Sequence, residues 1–203
     1  MRVLLPRIEN VLRNLHRPEA IYRPVKIDEI LAAVRATGAI DAIELIPSDI
    51  DPDILQAKII VKRIANKRIA SIYFSKRAPK PDQRFAIAKE TVHIFDAPDE
   101  KTTIDQDLER LLDDLCVDGA SGLETAQIAA EHRARLGAIE LLVPFEARMV
   151  LKGSWMVIKN DTKTIADGYG VPERVMRRAL NDSYNEQIRT AREQCGVKYI
   201  GAD

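Results

Sequence analysis

The sequence predicts an α+β fold in which a small antiparallel sheet packs on a bundle of helices. Two observations support this class. The β-rich runs are short and lie in the first 75 residues, while most of the later sequence places apolar residues at helical spacing. The chain has 203 residues, which is enough for one domain with a sizeable core, or for one domain plus an appendage.

We divide the chain into three parts. Residues 1–23 have modest helical spacing and a charged character, and we predict that they form an N-terminal appendage. Residues 24–184 form the main domain. Residues 185–203 are expected to be a helical, partly exposed C-terminal tail.

The first half of the domain combines one helix with all the predicted strands. Apolar residues repeat on one helical face over 25–37, which predicts a helix there. The last two β-rich runs are joined around Asn66-Lys67, which predicts a hairpin. The three predicted strands span 40–46, 55–64 and 68–75.

The second half of the domain is predicted to be helical. Asp82 is the expected N-cap of a helix whose core face carries Phe85, Ala88, Val92 and Phe95. Pro144 is expected to end or kink a later helix. The other predicted helices span 103–117, 123–142, 163–169 and 172–184.

Composition excludes several classes of protein. The net charge is zero, so overall charge gives no argument for binding nucleic acid or a membrane surface. No apolar run approaches the roughly 20 residues of a membrane span. Cys116 and Cys195 are the only cysteines, which is too few for a disulfide framework. We therefore expect a cytoplasmic protein.

Chemistry is concentrated in residues 86–93, which read Ala-Ile-Ala-Lys-Glu-Thr-Val-His. This is the zinc-peptidase pattern His-Glu-x-x-His with its first histidine replaced by Lys89. On a helix the two histidines of that pattern lie one turn apart and hold one Zn²⁺, while the glutamate acts as general base. Glu90 and His93 are therefore a remnant base and a remnant ligand. Lys89 carries a positive charge and has no lone pair, so it opposes metal binding.

Three blocks of sequence resemble the ImmA/IrrE family of small bacterial and phage zinc peptidases. Gln83, Arg84, Phe85 and Ala88 stand in register with the family's motif helix. Residues 140–144 are similar to its Leu-Leu-Met-Pro segment, and residues 165–180 are similar to its final helix pair. The resemblance covers roughly residues 24–182. It implies a zincin-like peptidase scaffold with a central motif helix.

The same resemblance locates a third metal ligand, and this chain departs from the family there too. In the family a glutamate lies eleven residues before the proline that corresponds to Pro144. Counting back places Arg133 on that ligand and Gly137 on a family aromatic. A slip of the register would instead bring His132 or Glu131 to the ligand position.

The resemblance implies a function, with two alternatives. Family members commonly act on helix-turn-helix repressors encoded beside them, often on phages or mobile elements. With cations at two ligand positions, we expect a metal-free pseudo-peptidase that binds such a regulator and has no cofactor. The first alternative is an active zinc endopeptidase that uses Glu90, His93 and either His132 or Glu131. The second is a DNA-binding regulatory protein.

Charge is segregated along the chain. Residues 54–81 contain eight basic residues and no acidic one, whereas acids dominate 96–118. One interpretation is two solvated faces. The other is a basic hairpin that contacts an acidic partner or nucleic acid, with Lys62, Lys67 and Arg68 as candidate contacts, or a homo-oligomer formed through the opposite patches.

Overall fold

The computed structural model describes residues 4–15, 24–96, 126–153 and 161–196. Within these residues the fold is α+β, as predicted. The strands are β1 (Ala42–Ser48), β2 (Ala57–Ile64) and β3 (Lys67–Ser75). The helices are α1 (Leu4–Asn14), α2 (Ile27–Ala36), α3 (Lys80–Val92), α4 (Ala126–Leu142), α5 (Phe145–Gly153), α6 (Thr162–Tyr169), α7 (Glu173–Ala179) and α8 (Asp182–Gln194), and a short 3-10 helix, His93–Phe95, follows α3.

The sheet is mixed, so the prediction of an antiparallel sheet is wrong. Its strand order is β1-β3-β2, with β1 parallel to β3 and β2 antiparallel to β3. Ala65 and Asn66 both have positive φ angles, 47° and 63°, which is the conformation of a two-residue hairpin turn. That turn forces β2 and β3 to be antiparallel. The longer connection after β1 allows β3 to lie between β1 and β2.

Helix α3 lies at the centre of the described structure. It packs on β2 and β3, and it also contacts α2 and α4. One face of the sheet is buried beneath the helices, with Ala57, Ala70 and Ile72 at most 4% exposed. The predicted core face of α3 is confirmed, since Ala88, Val92 and Phe95 are buried and Phe85 packs against the same core.

Two helix boundaries differ from the predictions. Asp82 lies inside the first turn of α3, whose N-cap is Pro79, because Pro81 fits the first turn of a helix and allows an earlier start. The predicted helix 172–184 is broken, because the side chain of Asn181 accepts a hydrogen bond from the Tyr184 backbone N–H and starts α8. The helix predicted over 103–117 lies outside the described residues.

The terminal segments supply part of the core. Helix α1, from the segment predicted as an appendage, packs on α2 and α4 and contributes Leu4, Ile8, Val11 and Leu12 to the main apolar cluster. Helix α8 contributes Tyr184 and Ile188 to that cluster. None of the helices within the described ranges is both long and apolar enough to cross a membrane.

A close approach between α3 and α4 fixes how these two helices meet. A Cβ added to Gly137 would lie 3.0 Å from both γ carbons of Val92 and 3.4 Å from Ile8. A larger residue at position 137 would therefore push α4 away from α3. The absence of a side chain there allows the preceding turns of α4 to reach the end of α3, where the motif residues lie.

Candidate functional site

The motif residues lie at the C-terminal end of α3. Lys89 and Glu90 belong to its last turn, and His93 is its C-cap. The backbone of His93 keeps right-handed helical angles, with φ −62° and ψ −12°, so Lys89 and His93 still lie on one face at i and i+4. The spacing that the motif predicts is therefore realised.

The Lys89 ammonium lies between two carboxylates. Its Nζ is 2.9 Å from Glu131 Oε1 and 3.0 Å from Glu90 Oε1. The lysine side chain is 19% exposed and that of Glu90 is 6% exposed. Burial alone would lower the pKa of Lys89, but the two carboxylates outweigh burial and raise it. Lys89 is therefore charged at neutral pH and holds α3 to α4.

His93 is held at both ring nitrogens. Nδ1 lies 2.5 Å from Asp96 Oδ2, and Nε2 lies 3.3 Å from Glu131 Oε2. Burial acts to lower the pKa of His93, but the hydrogen bonds to the Asp96 and Glu131 carboxylates prevail and raise it to about 9. At neutral pH the ring is an imidazolium that donates from both nitrogens.

Glu131 is the acceptor that joins these cations. Its carboxylate contacts Lys89, His93 and the Nε of Arg135, at 3.3 Å. Burial acts to raise the pKa of Glu131, but His93 and Lys89 hold it well below the usual range. One carboxylate therefore accepts hydrogen bonds from three cationic side chains.

The structure brings together Lys89, Glu90, His93 and Glu131, one of the two fallback residues for the third ligand position. Two positions along an α-helix correspond to about 200° of rotation, so Glu131 and Arg133 project in very different directions. His132 is exposed and lines the same cavity as Glu131.

These side chains do not fit a zinc ion. A catalytic zinc site needs three protein ligands with free lone pairs. The Lys89 ammonium has none, and it lies between the Glu90 and Glu131 carboxylates at the position of the pattern's first histidine. Among the residues that the structure describes, no group of three or more His, Cys, Asp and Glu side chains is arranged to hold a metal ion. The arrangement is a closed network of alternating charges that ties α3 to α4.

The motif did not indicate two members of this network. Asp96 holds Nδ1 of His93 and lies three residues after it, a spacing that could have suggested the contact. Arg135 lies one helical turn after Glu131 on α4 and had no signal of its own.

A second buried network was also missed. Arg148 Nη2 lies 2.8 Å from Glu140 Oε1, and the Tyr184 hydroxyl donates to the same oxygen at 2.7 Å. Arg192 on α8 lies 2.9 Å from Glu9 on α1 and 2.6 Å from Glu146 on α5. The available signal was a charged residue on a helical face that is otherwise apolar. Glu9, Glu140 and Arg148 are such residues.

Glu9 is perturbed within this second network. It is 2% exposed, and burial raises its pKa to about 7, against the opposing effect of Arg192. The ion pair links the first described helix to the last. It belongs to the packing of the helices and lies apart from the motif residues.

The hairpin cations do not share one face of the sheet. Lys62 lies opposite Ile69 and Lys67 lies opposite Ile64, so both lysines are on the face turned away from the helices. Both are exposed. Arg68 lies on the other face, is half-buried, and its backbone N–H donates to Asp41 at 2.6 Å. Only the two lysines form a common surface.

Comparison with known proteins gives no relative. No family model, no curated protein and no solved structure matches the chain.

Proposed function

We propose that this chain is a metal-free pseudo-peptidase of the ImmA/IrrE type that binds a partner protein without cutting it. The observation that carries the proposal is the Lys89 ammonium, 2.9 Å from Glu131 and 3.0 Å from Glu90. In the family pattern that space belongs to a ligand and its metal. Here a fixed organic cation neutralises the carboxylates instead.

The retained residues support a scaffold that lost catalysis. Glu90 is buried and paired with Lys89, so it is not available to take a proton from water. His93 donates from both ring nitrogens and cannot ligate a metal in that state. The active-peptidase alternative requires Lys89 to leave both carboxylates. It also requires His93 to be deprotonated at neutral pH, although its pKa is raised to about 9.

The proposed partner is a helix-turn-helix transcriptional regulator of a phage or mobile element, on the resemblance described above. The test is co-purification with a regulator encoded beside the chain, using wild type and Glu90→Gln. We expect both proteins to retain the regulator and mass spectrometry to find it intact. Cleavage by wild type that the Glu90→Gln variant abolishes would establish a peptidase instead. Failure of both proteins to retain the regulator would remove this partner.

A further inference from the structure

A cavity of about 450 Å³ opens beside Lys89 and Glu131. Residues of α3, α4 and α7 form most of its wall, and Gln56 contributes from the start of the hairpin. The basic side chains that line it are Lys89, Arg135, Arg174 and Arg178. None of the motifs in the sequence predicts this grouping, because the residues come from three separate helices.

The charge of the cavity is positive. Its Lys, Arg and Glu side chains are four cations and one carboxylate, that of Glu131, which gives a formal charge of +3. Asp82, 2.5 Å from Arg174, and Glu90, 3.0 Å from Lys89, lie just outside the lining and lower the excess to +1. The side chains of Arg135 and Arg174 are 63% and 59% exposed, so a ligand can reach both guanidinium groups. The excess charge selects an anionic ligand.

The floor of the cavity is apolar. Ala86, Ile139, Val175 and Leu136 are between 2% and 8% exposed and lie beneath the cations. A free inorganic anion would leave this floor without a partner. A ligand that combines carboxylates with apolar side chains would use both parts, since guanidinium groups bind carboxylates in a fork and the floor accepts apolar groups.

We propose that this cavity binds an extended acidic peptide segment of a partner protein, with its carboxylates on Arg135, Arg174 and Arg178 and an apolar side chain on the floor. The Gln56 side chain lines the same cavity and offers a donor and an acceptor to the peptide backbone. The inference deepens the proposed function and rests on it for the statement that the bound segment stays uncut.

The shape of the site favours a peptide over duplex DNA. Recognition helices enter the major groove and present several side chains to base edges. Helix α7 has only seven residues, which is short for a recognition helix. Arg178 lies over the Tyr184 ring at 5.7 Å. These cations surround a concavity, which suits a narrow chain that enters it.

The test is fluorescence anisotropy with a short labelled peptide in which Asp and Glu alternate with Leu and Phe. Two control peptides replace the acids by Asn and Gln, or replace the apolar residues by Ser. The test variant is Arg135→Gln with Arg178→Gln. The control variant is Arg177→Gln with Arg189→Gln, which removes the same charge from residues that do not line the cavity. Circular dichroism checks that each variant folds.

We expect wild type to bind the acidic apolar peptide and both control peptides to bind more weakly. The Kd should rise about tenfold or more in the test variant and change little in the control variant, because charge-assisted hydrogen bonds are lost only in the first. The control peptides give the same information on wild type if the test variant does not fold.

Several results would overturn the proposal. Equal losses in the two variants would mean general electrostatic attraction. No binding of the acidic peptide to wild type would mean that the cavity does not take this ligand. If a labelled DNA duplex bound more tightly than the peptide, and the test and control variants weakened that binding equally, the surface would be assigned to nucleic acid. Cleavage of the bound peptide would contradict the pseudo-peptidase role while leaving the binding site in place.

Discussion

Replacing Lys89 by Met should destabilise the protein far more than replacing Lys76, an exposed lysine whose Nζ lies equally far from its carboxylate partner. Among the described residues, Lys89 forms an ion pair with Glu90, whose side chain is 6% exposed. Without the ammonium, the buried Glu90 carboxylate loses this partner. Removing one partner of a buried pair costs about 3–5 kcal/mol.

The contacts that remain limit this cost. Glu131 keeps His93 and Arg135 as partners, so its contribution to the loss is smaller. We therefore expect Lys89→Met to lower the free energy of unfolding by about 3 kcal/mol at neutral pH.

Lys76 offers a matched control. Its Nζ lies 2.9 Å from Asp49, the same separation as between Lys89 and Glu131, but the two side chains are 55% and 74% exposed. Exposed ion pairs contribute about 0.2–1 kcal/mol at most, so Lys76→Met should have a small effect. Because the pairing distance is the same, the difference between the two variants measures burial together with the second carboxylate partner of Lys89, Glu90.

Urea unfolding with linear extrapolation measures both variants. Adding Glu90→Gln to Lys89→Met should recover much of the loss, since no buried charge then remains at position 90. The reasoning fails if Lys89→Met costs no more than Lys76→Met, or if Glu90→Gln gives no recovery in the Lys89→Met background.

Three further predictions follow from the same contacts. Lys89→His alone should create zinc binding in calorimetry, because positions 89 and 93 and Glu131 would supply a His-His-Glu set. Adding Arg133→Glu should not improve zinc binding. If zinc bound only after both changes, position 133 and not Glu131 would be the third ligand. The pKa of His93 in the folded protein is raised from 6.5 to about 9. Its contribution to stability is therefore complete below pH 6.5 and is lost as pH rises to about 9. Urea unfolding at a series of pH values should show this fall in stability, and His93→Gln should remove it. Lys62→Glu with Lys67→Glu should change Tm by little, since both side chains are exposed, and should weaken binding to an acidic partner most at low salt; unchanged binding in a low-salt pull-down would remove this surface as a contact.

The elements of the fold were largely predictable because their apolar periodicity is strong. The core face of α3 is an example, since Ala88 and Val92 repeat at helical spacing and are fully buried. Strand direction was not predictable in the same way. The two-residue turn at Ala65 and Asn66 determines only the β2–β3 pair, whereas the position of β1 depends on tertiary packing.

The motif half of the site was also predictable, because Lys89, Glu90 and His93 lie within two turns of one helix. The contribution of α4 was not. Each residue turns a helix by about 100°, so a count from a distant proline cannot choose between Glu131 and Arg133. Which residues of α4 reach the end of α3 depends on how the two helices pack, as in the close approach of Gly137 to Val92. Such a contact joins residues far apart in the chain and has no periodic signal.

The buried network of Glu9, Glu146 and Arg192 shows the same limit. These residues come from α1, α5 and α8, and no short stretch of sequence contains two of them. Their burial among apolar residues could have been inferred helix by helix. Their pairing could not, because it depends on how the first and last described helices meet.

The most direct test of the account is the zinc content of the purified wild-type protein after exposure to zinc and dialysis. If Lys89 occupies the space of a ligand and its metal, elemental analysis should find far less than one equivalent, with no difference between wild type and His93→Gln. One tightly bound equivalent of zinc in wild type that His93→Gln removes would contradict the account.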